Sequence, residues 1–325
     1  MKYTRVLAAG LSLFALVGTA LAQQDYPNHP IRWILPFSAG GASDAAVRLL
    51  AQRMAPLLGQ EFVVDTRPGA GGIIGTDLLA KSAPDGYTIA WGGSAPLAGN
   101  VTLQKNLPYS VPKDFAPICR VGVISYVLVA NPALGVKSVK ELIALANSKP
   151  QPLAYASPGN GGASHMSMEA FQHSTGTTFL NVQYKGTGPG IVDVIANQVP
   201  LMWESVNAVA PLVQAGKLVA LATSSAKRMK SLPDVPTMQE LGYRDFLVQG
   251  WAGLVAPANT PQPIVAKLDA ACQKVLAQPD VQDIMLRQQG WEVDYAGPAE
   301  FGTFMKAEVG NWARMIAHAK VKVNP

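Results

Sequence analysis

Three times in this chain an apolar strand runs into a glycine-rich turn that opens a helix. Residues 31–35 lead into Pro36-Phe37-Ser38-Ala39-Gly40-Gly41-Ala42-Ser43-Asp44, and 62–64 lead into Arg67-Pro68-Gly69-Ala70-Gly71-Gly72. Residues 153–156 lead into Ser157-Pro158-Gly159-Asn160-Gly161-Gly162-Ala163-Ser164. Helices that follow strands so closely must cover a sheet, so the chain is expected in the α/β class. Further strands are expected at 88–91, 123–130, 181–184, 201–203, 218–223 and 247–255, with helices between most of them. The alternation reads as a parallel sheet flanked by helices. Glycine lets a backbone approach a ligand closely, and the first amides of a helix are unpaired donors with partial positive charge. The turns therefore suggest anion capture by backbone.

Helical periodicity supports the same layout. Val47, Leu50, Ala51, Met54, Leu57 and Leu58 make one buried stripe, with Pro56 ending the regular part. Ser138-Val139-Lys140-Glu141 is a capping box in front of Leu142 and Ile143. Near the end, Phe301, Phe304, Met305, Trp312, Met315 and Ile316 share a helix face. The two long apolar strands, 123–130 and 247–255, read as crossing points between domains. The expected division is a discontinuous first lobe, 23–124 with 249–325, and an inserted second lobe, 125–248.

The start of the chain has the form of an export signal, residues 1–22: Lys2 and Arg5, then an apolar stretch, then Ala20-Leu21-Ala22. Without Lys2 and Arg5 the 26 basic side chains fall to 24 against 21 acidic ones, scattered rather than clustered, so no nucleic-acid surface is expected. No later apolar run reaches the roughly 18 residues of a membrane helix. In an exported chain Cys119 and Cys272 are free to form a disulfide. The alternative is a buried thiol, since Cys272 sits on the apolar face of Ile264, Val265, Leu268, Val275 and Leu276. Neither has His or Cys neighbours at ligand spacing, and no metal or cofactor is expected.

Catalytic and nucleotide motifs are incomplete. No segment matches the phosphate-binding P-loop, and the dinucleotide fingerprint fails at Ile74 after Gly69 and Gly71, and at Ile191 after Gly186 and Gly188. Around Ser94 and Ser164 the Gly-x-Ser-x-Gly elbow lacks its closing glycine. His165 and His173 fall on one helix, too far apart for a metal pair. His165, at the helix start, either reaches a ligand or bonds neighbouring backbone. Asp44 either caps amides or meets a cationic part of a ligand. Arg67 and Lys185 are the cations nearest the turns, neither with a second arginine to form a clamp. Two more strand ends, Tyr184-Lys185-Gly186-Thr187-Gly188-Pro189-Gly190 and Trp203-Glu204-Ser205, should lie on the same edge. Glu204 is there either a solvated charge or an acceptor for a ligand hydroxyl or ammonium.

At these residues the chain resembles the Bug-type solute-binding proteins of tripartite tricarboxylate transporters, over essentially the whole length after the leader. The matching stretches are Pro36-Phe37 with Gly40-Gly41 and Asp44, Arg67-Pro68-Gly69-Ala70-Gly71-Gly72, Pro84-Asp85-Gly86-Tyr87-Thr88 and Ser138-Val139-Lys140-Glu141-Leu142. Tyr184-Lys185-Gly186, Ala215-Gly216-Lys217-Leu218 and Leu232-Pro233-Asp234-Val235-Pro236-Thr237 follow in order. The resemblance implies a type II periplasmic-binding-protein fold, two α/β lobes closing on a small organic acid, with no catalysis and with membrane transporter subunits as partners. It implies ligand contact at Phe37, Ser38, Ala42, Ser43, Asp44, Gly71, Gly72, Ser94, Gly161, Gly162, Ala163, Ser164, His165, Thr187 and Glu204. Ser38-Ala39, Asp65-Thr66, Trp91-Gly92-Gly93-Ser94 and Glu204 depart from the family's usual residues. Trp91 is expected to narrow the pocket or to offer a wall to an aromatic acid.

The leading reading is a monomeric periplasmic receptor that takes a small carboxylate to a membrane transporter. Two alternatives stay open: a sensor presenting its ligand to a membrane receptor, and a periplasmic hydrolase or isomerase pairing His165 with Asp44 or Glu204.

Overall fold

The structure, a computed structural model, describes residues 26–318 except 159–161, 185, 186, 245 and 247; the expected leader lies outside the described residues. β1 (Ile31–Leu35) is followed by α1 (Ala42–Leu58), β2 (Phe62–Thr66), α2 (Ile73–Ala80) and β3 (Thr88–Gly93), and β1 lies parallel to both β2 and β3. The stripe Val47, Leu50, Ala51, Met54 and Leu58 is buried, as its spacing requires, but Leu57, expected in it, is exposed because it points away from the sheet in the last turn. Pro56 does not end α1. In the last turn a proline removes one helix hydrogen bond, and the helix runs on to Leu58, where left-handed Gly59 closes it on the carbonyl of Ala55.

β4 (Phe115–Ala130) leads through α3 (Val139–Ser148), β5 (Leu153–Ser157), α4 (Ala163–Thr175), β6 (Phe179–Gln183), α5 (Thr187–Ile195), β7 (Leu201–Ser205), α6 (Val206–Gln214) and β8 (Val219–Thr223). β5 is parallel to β6 and to β7. α3 starts as its capping box dictates: the Ser138 hydroxyl accepts from the Glu141 amide at 3.2 Å, and the Glu141 carboxylate accepts from the Lys137 amide at 2.8 Å. β9 (Gln249–Pro257), α7 (Gln262–Leu276), α8 (Pro279–Gln289), β10 (Trp291–Ala296) and α9 (Pro298–His318) complete the fold.

The sheet is mixed rather than parallel, because β4 and β9 cross it antiparallel to each other and to their neighbours. β4 begins at Phe115, well before the expected 123. Its first half carries Pro117 and slips register twice against β9, which hides the strand pattern. β10, absent from the sequence reading, is a short antiparallel partner of β4. Residues Phe115 to Ser125 pair with β9, whereas Tyr126 to Ala130 pair with β7, so β4 changes partners between Ser125 and Tyr126.

Packing locks this crossing. One core runs unbroken across the change of partners, from Ile34 and Leu97 to Trp203 and Phe246, covered by the Phe301, Met305, Trp312 and Ile316 face of α9. The other face of the sheet carries separate cores, one on α1 and α7, another on α5 and α6. Cys119 of β4 and Cys272 of α7 form a disulfide with Cα atoms 6.9 Å apart, fully buried in the first of these. The close approach of β9 to β4 needs Gly253, where a Cβ would stand 2.4 Å from the Cys119 carbonyl and 2.5 Å from the Phe301 ring. Replacing Gly253 by Ala is expected to lower stability by about 1–3 kcal/mol. A urea midpoint equal to wild type would contradict this account of the crossing.

Candidate functional site

Strand register brings the glycine turns together. β1, β2 and β3 end at Leu35, Thr66 and Gly93; β5, β6 and β7 end at Ser157, Gln183 and Ser205. Gly93 is opposite Ala252, which is opposite Gly122 of β4, while Ser205 is opposite Tyr126 of β4. β3 runs with β4 and β7 runs against it, so both groups of strands end at the same stretch of β4 from opposite directions. Gly122 and Tyr126 are about 13 Å apart at roughly 3.3 Å per residue. The carboxyl ends of parallel strands, the usual ligand position in α/β sheets, thus face one another across a cleft floored by β4 and β9. Hydrogen bonds tie that floor together: the Tyr126 amide donates to Ser224 Oγ at 3.0 Å, and Gln249 Nε2 donates to Ser125 Oγ at 2.8 Å.

On the first side, the Phe37 ring lies over Gly72 and Gly93, whose added Cβ atoms would meet it at 3.6 and 3.7 Å. Gly71 and Gly72 have φ of 65° and 92°, and Asn100 Nδ2 donates to the Gly71 carbonyl at 3.1 Å. Ser94 opens the π-helical turn Ala95–Gly99 behind them. Ser38 is exposed, and Ala42 and Ser43 are half-buried at the start of α1. Asp44 is buried; it accepts from the Gly40 amide at 2.9 Å and pairs with Arg48 at 2.8 Å, so its carboxylate is held by an amide of the turn and by an arginine one helical turn on. Arg67 does have a second arginine beside it. Arg32 and Arg67 both grip Asp65, where burial pushes the carboxyl up but the two guanidiniums outweigh it and hold it below the usual range.

On the second side, Gly161 and Lys185 lie outside the described residues. Gly162 is the extended residue before α4, and Ala163 is buried at its first position. The Ser164 hydroxyl donates to the Trp203 carbonyl, pinning α4 to the end of β7. His165 is buried with Nε2 3.5 Å from Glu169. His165 thus faces Glu169, while Asp44 and Glu204 hold other partners. His173 is exposed, two turns farther along α4.

Glu204 is 3 % exposed, which excludes the solvated-charge alternative. Its Oε1 accepts from the Ser205 amide at 2.7 Å and the Ser205 hydroxyl at 2.8 Å, and its Oε2 accepts from the Thr187 hydroxyl at 3.0 Å. Burial pushes its carboxyl above the ordinary range, partly offset by those donors. Burial also pushes the nearby Tyr126 hydroxyl up, with Glu204 adding to the effect.

Trp91 does not reach the site. It is 1 % exposed and packs edge-on against Trp291 at 5.5 Å, because its place in β3 points it into the core behind α1. Trp291 instead reaches forward, donating Nε1 to the Ala42 carbonyl at 3.3 Å. The preceding Gly290, φ 74°, abuts the start of α6: an added Cβ would lie 2.6 Å from Asn207 Cβ. Gly290 and Asn207, missed in the sequence, form a contact between the two sides; a glycine closing a helix carries no sign of what it touches.

A cavity of about 1020 Å³ lies away from the turns, lined by Glu169, His173, Tyr243, Phe246, Glu308 and Trp312 among others. Its acids are already engaged: Glu308 accepts from the indoles of Trp251 and Trp312, and Glu169 from the Tyr155 hydroxyl. The glycine-led helix starts are elsewhere. α1, α2 and α4 begin after Gly41, Gly72 and Gly162, with no side chain capping any of the three, in contrast to α3.

Comparison with known proteins agrees with this geometry. The fold is that of periplasmic binding proteins: the periplasmic binding protein BugD superposes with TM-score 0.79 at 36% identity, covering 91% of this chain and 99% of that one. The family model described as the tripartite tricarboxylate transporter family receptor matches residues 46–321, and the chain belongs to that family of solute-binding receptors. Protein BugT of Bordetella pertussis is 37% identical over 99% of this chain and 100% of its own length. An R. palustris protein solved with adipate superposes with TM-score 0.83 at 31% identity, covering 91% and 99% of the two chains. MatC from Rhodopseudomonas palustris with bound malate gives 0.78 at 31% identity, covering 90% and 100%. No described helix is long and apolar enough to cross a membrane.

The raised Glu204 carboxyl makes stability depend on pH. A folded value above the ordinary one near 4.5 contributes stability that is complete below that value and is lost as pH rises through the folded value. Without ligand, Glu204→Gln is therefore expected to melt above wild type at about pH 8 and to converge with it near pH 4.5. Parallel melting curves across that range would refute the buried-acid assignment.

Proposed function

We propose that this protein is a periplasmic receptor that captures a small organic carboxylate between two lobes and delivers it to the membrane subunits of a tripartite tricarboxylate-type transporter. The observation that carries the reading is the set of glycine-capped helix starts, α1 and α2 on one side of the cleft and α4 on the other, with no side chain filling them. Each such terminus contributes about 0.3–1 kcal/mol to anion binding when exposed and up to about 2 when partly buried. Micromolar affinity corresponds to roughly 8 kcal/mol, so direct hydrogen bonds and lobe closure supply the remainder. The adipate and malate held by related proteins support a carboxylate as ligand.

The lobes are 23–124 with 249–325 and 125–248, and they rotate about the β4 partner change at Ser125 and Tyr126. The carboxylate sits among Phe37, Ser38, Ala42, Ser43, Gly71, Gly72 and Ser94 on one side and Gly161, Gly162, Ala163, Ser164 and His165 on the other. Asp44 shapes the first turn, and Thr187 and Glu204 form the far end. Export follows cleavage of residues 1–22, and the receptor acts as a monomer without catalysis.

A thermal-shift screen of the mature chain against mono-, di- and tricarboxylates, amino acids and aromatic acids tests the reading. A ligand at 100 times its dissociation constant stabilises by about 2.7 kcal/mol, a clear rise in midpoint; no response to any carboxylate would sink it. Closure is tested separately. Gly290→Ala is expected to hold the lobes apart and weaken binding at least tenfold, roughly 1.4 kcal/mol. Gly59→Ala shares the left-handed strain, about 1 kcal/mol, but has open space around it, and should leave affinity unchanged. Equal affinities in the two variants would remove the Gly290 contact from the closed state.

A further inference from the structure

Glu204 is a buried acid at the carboxyl end of β7, where α5 and α6 begin. A carboxylate has two lone-pair positions on each oxygen. Oε1 has both filled, by the amide and hydroxyl of Ser205. Oε2 has one filled, by Thr187, and one left. Among the described residues no cation pairs with Glu204.

Resting on the carboxylate-receptor reading, we propose that Glu204 makes this receptor selective for carboxylates that carry a hydrogen-bond donor at their other end, an amide, ammonium or hydroxyl, over plain dicarboxylates of equal length. The open position on Oε2 accepts such a donor directly. A second ligand carboxylate would instead face a buried acid with no counter-charge beside it, and the two could coexist only by taking up a proton. A site built around a hydrogen bond discriminates strongly against an analogue that cannot make it. The arrangement also dictates what a substitution does. In Glu204→Gln the side-chain oxygen must take the Oε1 place, because the Ser205 amide can only donate, and the NH₂ group then occupies the Oε2 place. An open acceptor becomes an open donor with no change of shape.

The test is calorimetric titration of the mature protein, cleared of co-purified ligand, with matched pairs: succinate and succinamate, glutarate and glutaramate, adipate and adipamate. At whichever length binds, the monoamide should bind at least ten times more tightly than the dicarboxylate, and Glu204→Gln should reverse the order. A wild-type protein that binds the dicarboxylate as tightly or more tightly overturns the selectivity while leaving the receptor reading intact. The same holds for a folded Glu204→Gln protein with unchanged preference. If that variant does not fold, the wild-type pairs decide alone. Failure of these six acids and of every carboxylate in the wider screen overturns the receptor reading, and the selectivity with it.

Discussion

One strand holds the two sides of the cleft in register. β4 pairs with β9 up to Ser125 and with β7 from Tyr126, so the strand ends on both sides are positioned by a single continuous backbone. A shift of one residue in either pairing would turn its side chains to the opposite face and displace the turns by about 3.3 Å. The crowding at Gly253 and Gly122, where a side chain would meet a neighbouring carbonyl at 2.4 Å, helps fix the β9 and β10 pairings. The disulfide from Cys119 to Cys272 ties the same half of β4 to α7. One face of the sheet shares a core and the other carries separate ones, and on the proposed reading the bend falls at the β4 partner change and closes the face on which Gly290 meets Asn207.

The chemistry of the cleft is governed by what is already neutralised. Arg32 and Arg67 are drawn to Asp65, and Arg48 to Asp44, so the cations nearest the first turn are engaged within the protein. On the proposed reading, attraction for an anion among the described residues comes from the helix starts, which act over a short range and require the ligand to touch backbone. Such a site reads shape closely and tolerates little bulk, since a Cβ at Gly72 would meet both Pro96 and Phe37. Among the described residues Glu204 has neither a cation nor a fourth donor, and on the proposed reading the far end takes its character from that.

The sequence made the turns legible because glycine, strand and helix signals coincide within a few residues. It located Asp44, Ser164, His165 and Glu204 but not their partners: Arg48 is four residues from Asp44, whereas Trp203 and Thr187 reach Ser164 and Glu204 only through the sheet. Trp91 lies in the core rather than at the expected pocket wall for a related reason. Alternation along β3 places it on a face, and only the position of α1 and Trp291 decides that this face is core. The start of β4 was hidden by Pro117 and its bulges, and β10 by its brevity. Local chemistry was readable, and the long apolar strands 123–130 and 247–255 stood out; their antiparallel pairing and register were not readable, because long-range pairing leaves no periodic trace.

Closure about β4 is the claim on which the rest turns, and a distance between the lobes measures it directly. Val63 on β2 and Leu180 on β6 are 56% and 59% exposed at opposite ends of the sheet order and can carry spin labels through Val63→Cys and Leu180→Cys. Pulsed electron resonance on the labelled protein, freed of ligand and then saturated with whichever of malate, adipate or their monoamides binds, should show the open distribution replaced by a shorter, narrower one. An inter-label distance that stays the same while calorimetry records full occupancy would contradict a clamp and leave a rigid pocket in its place.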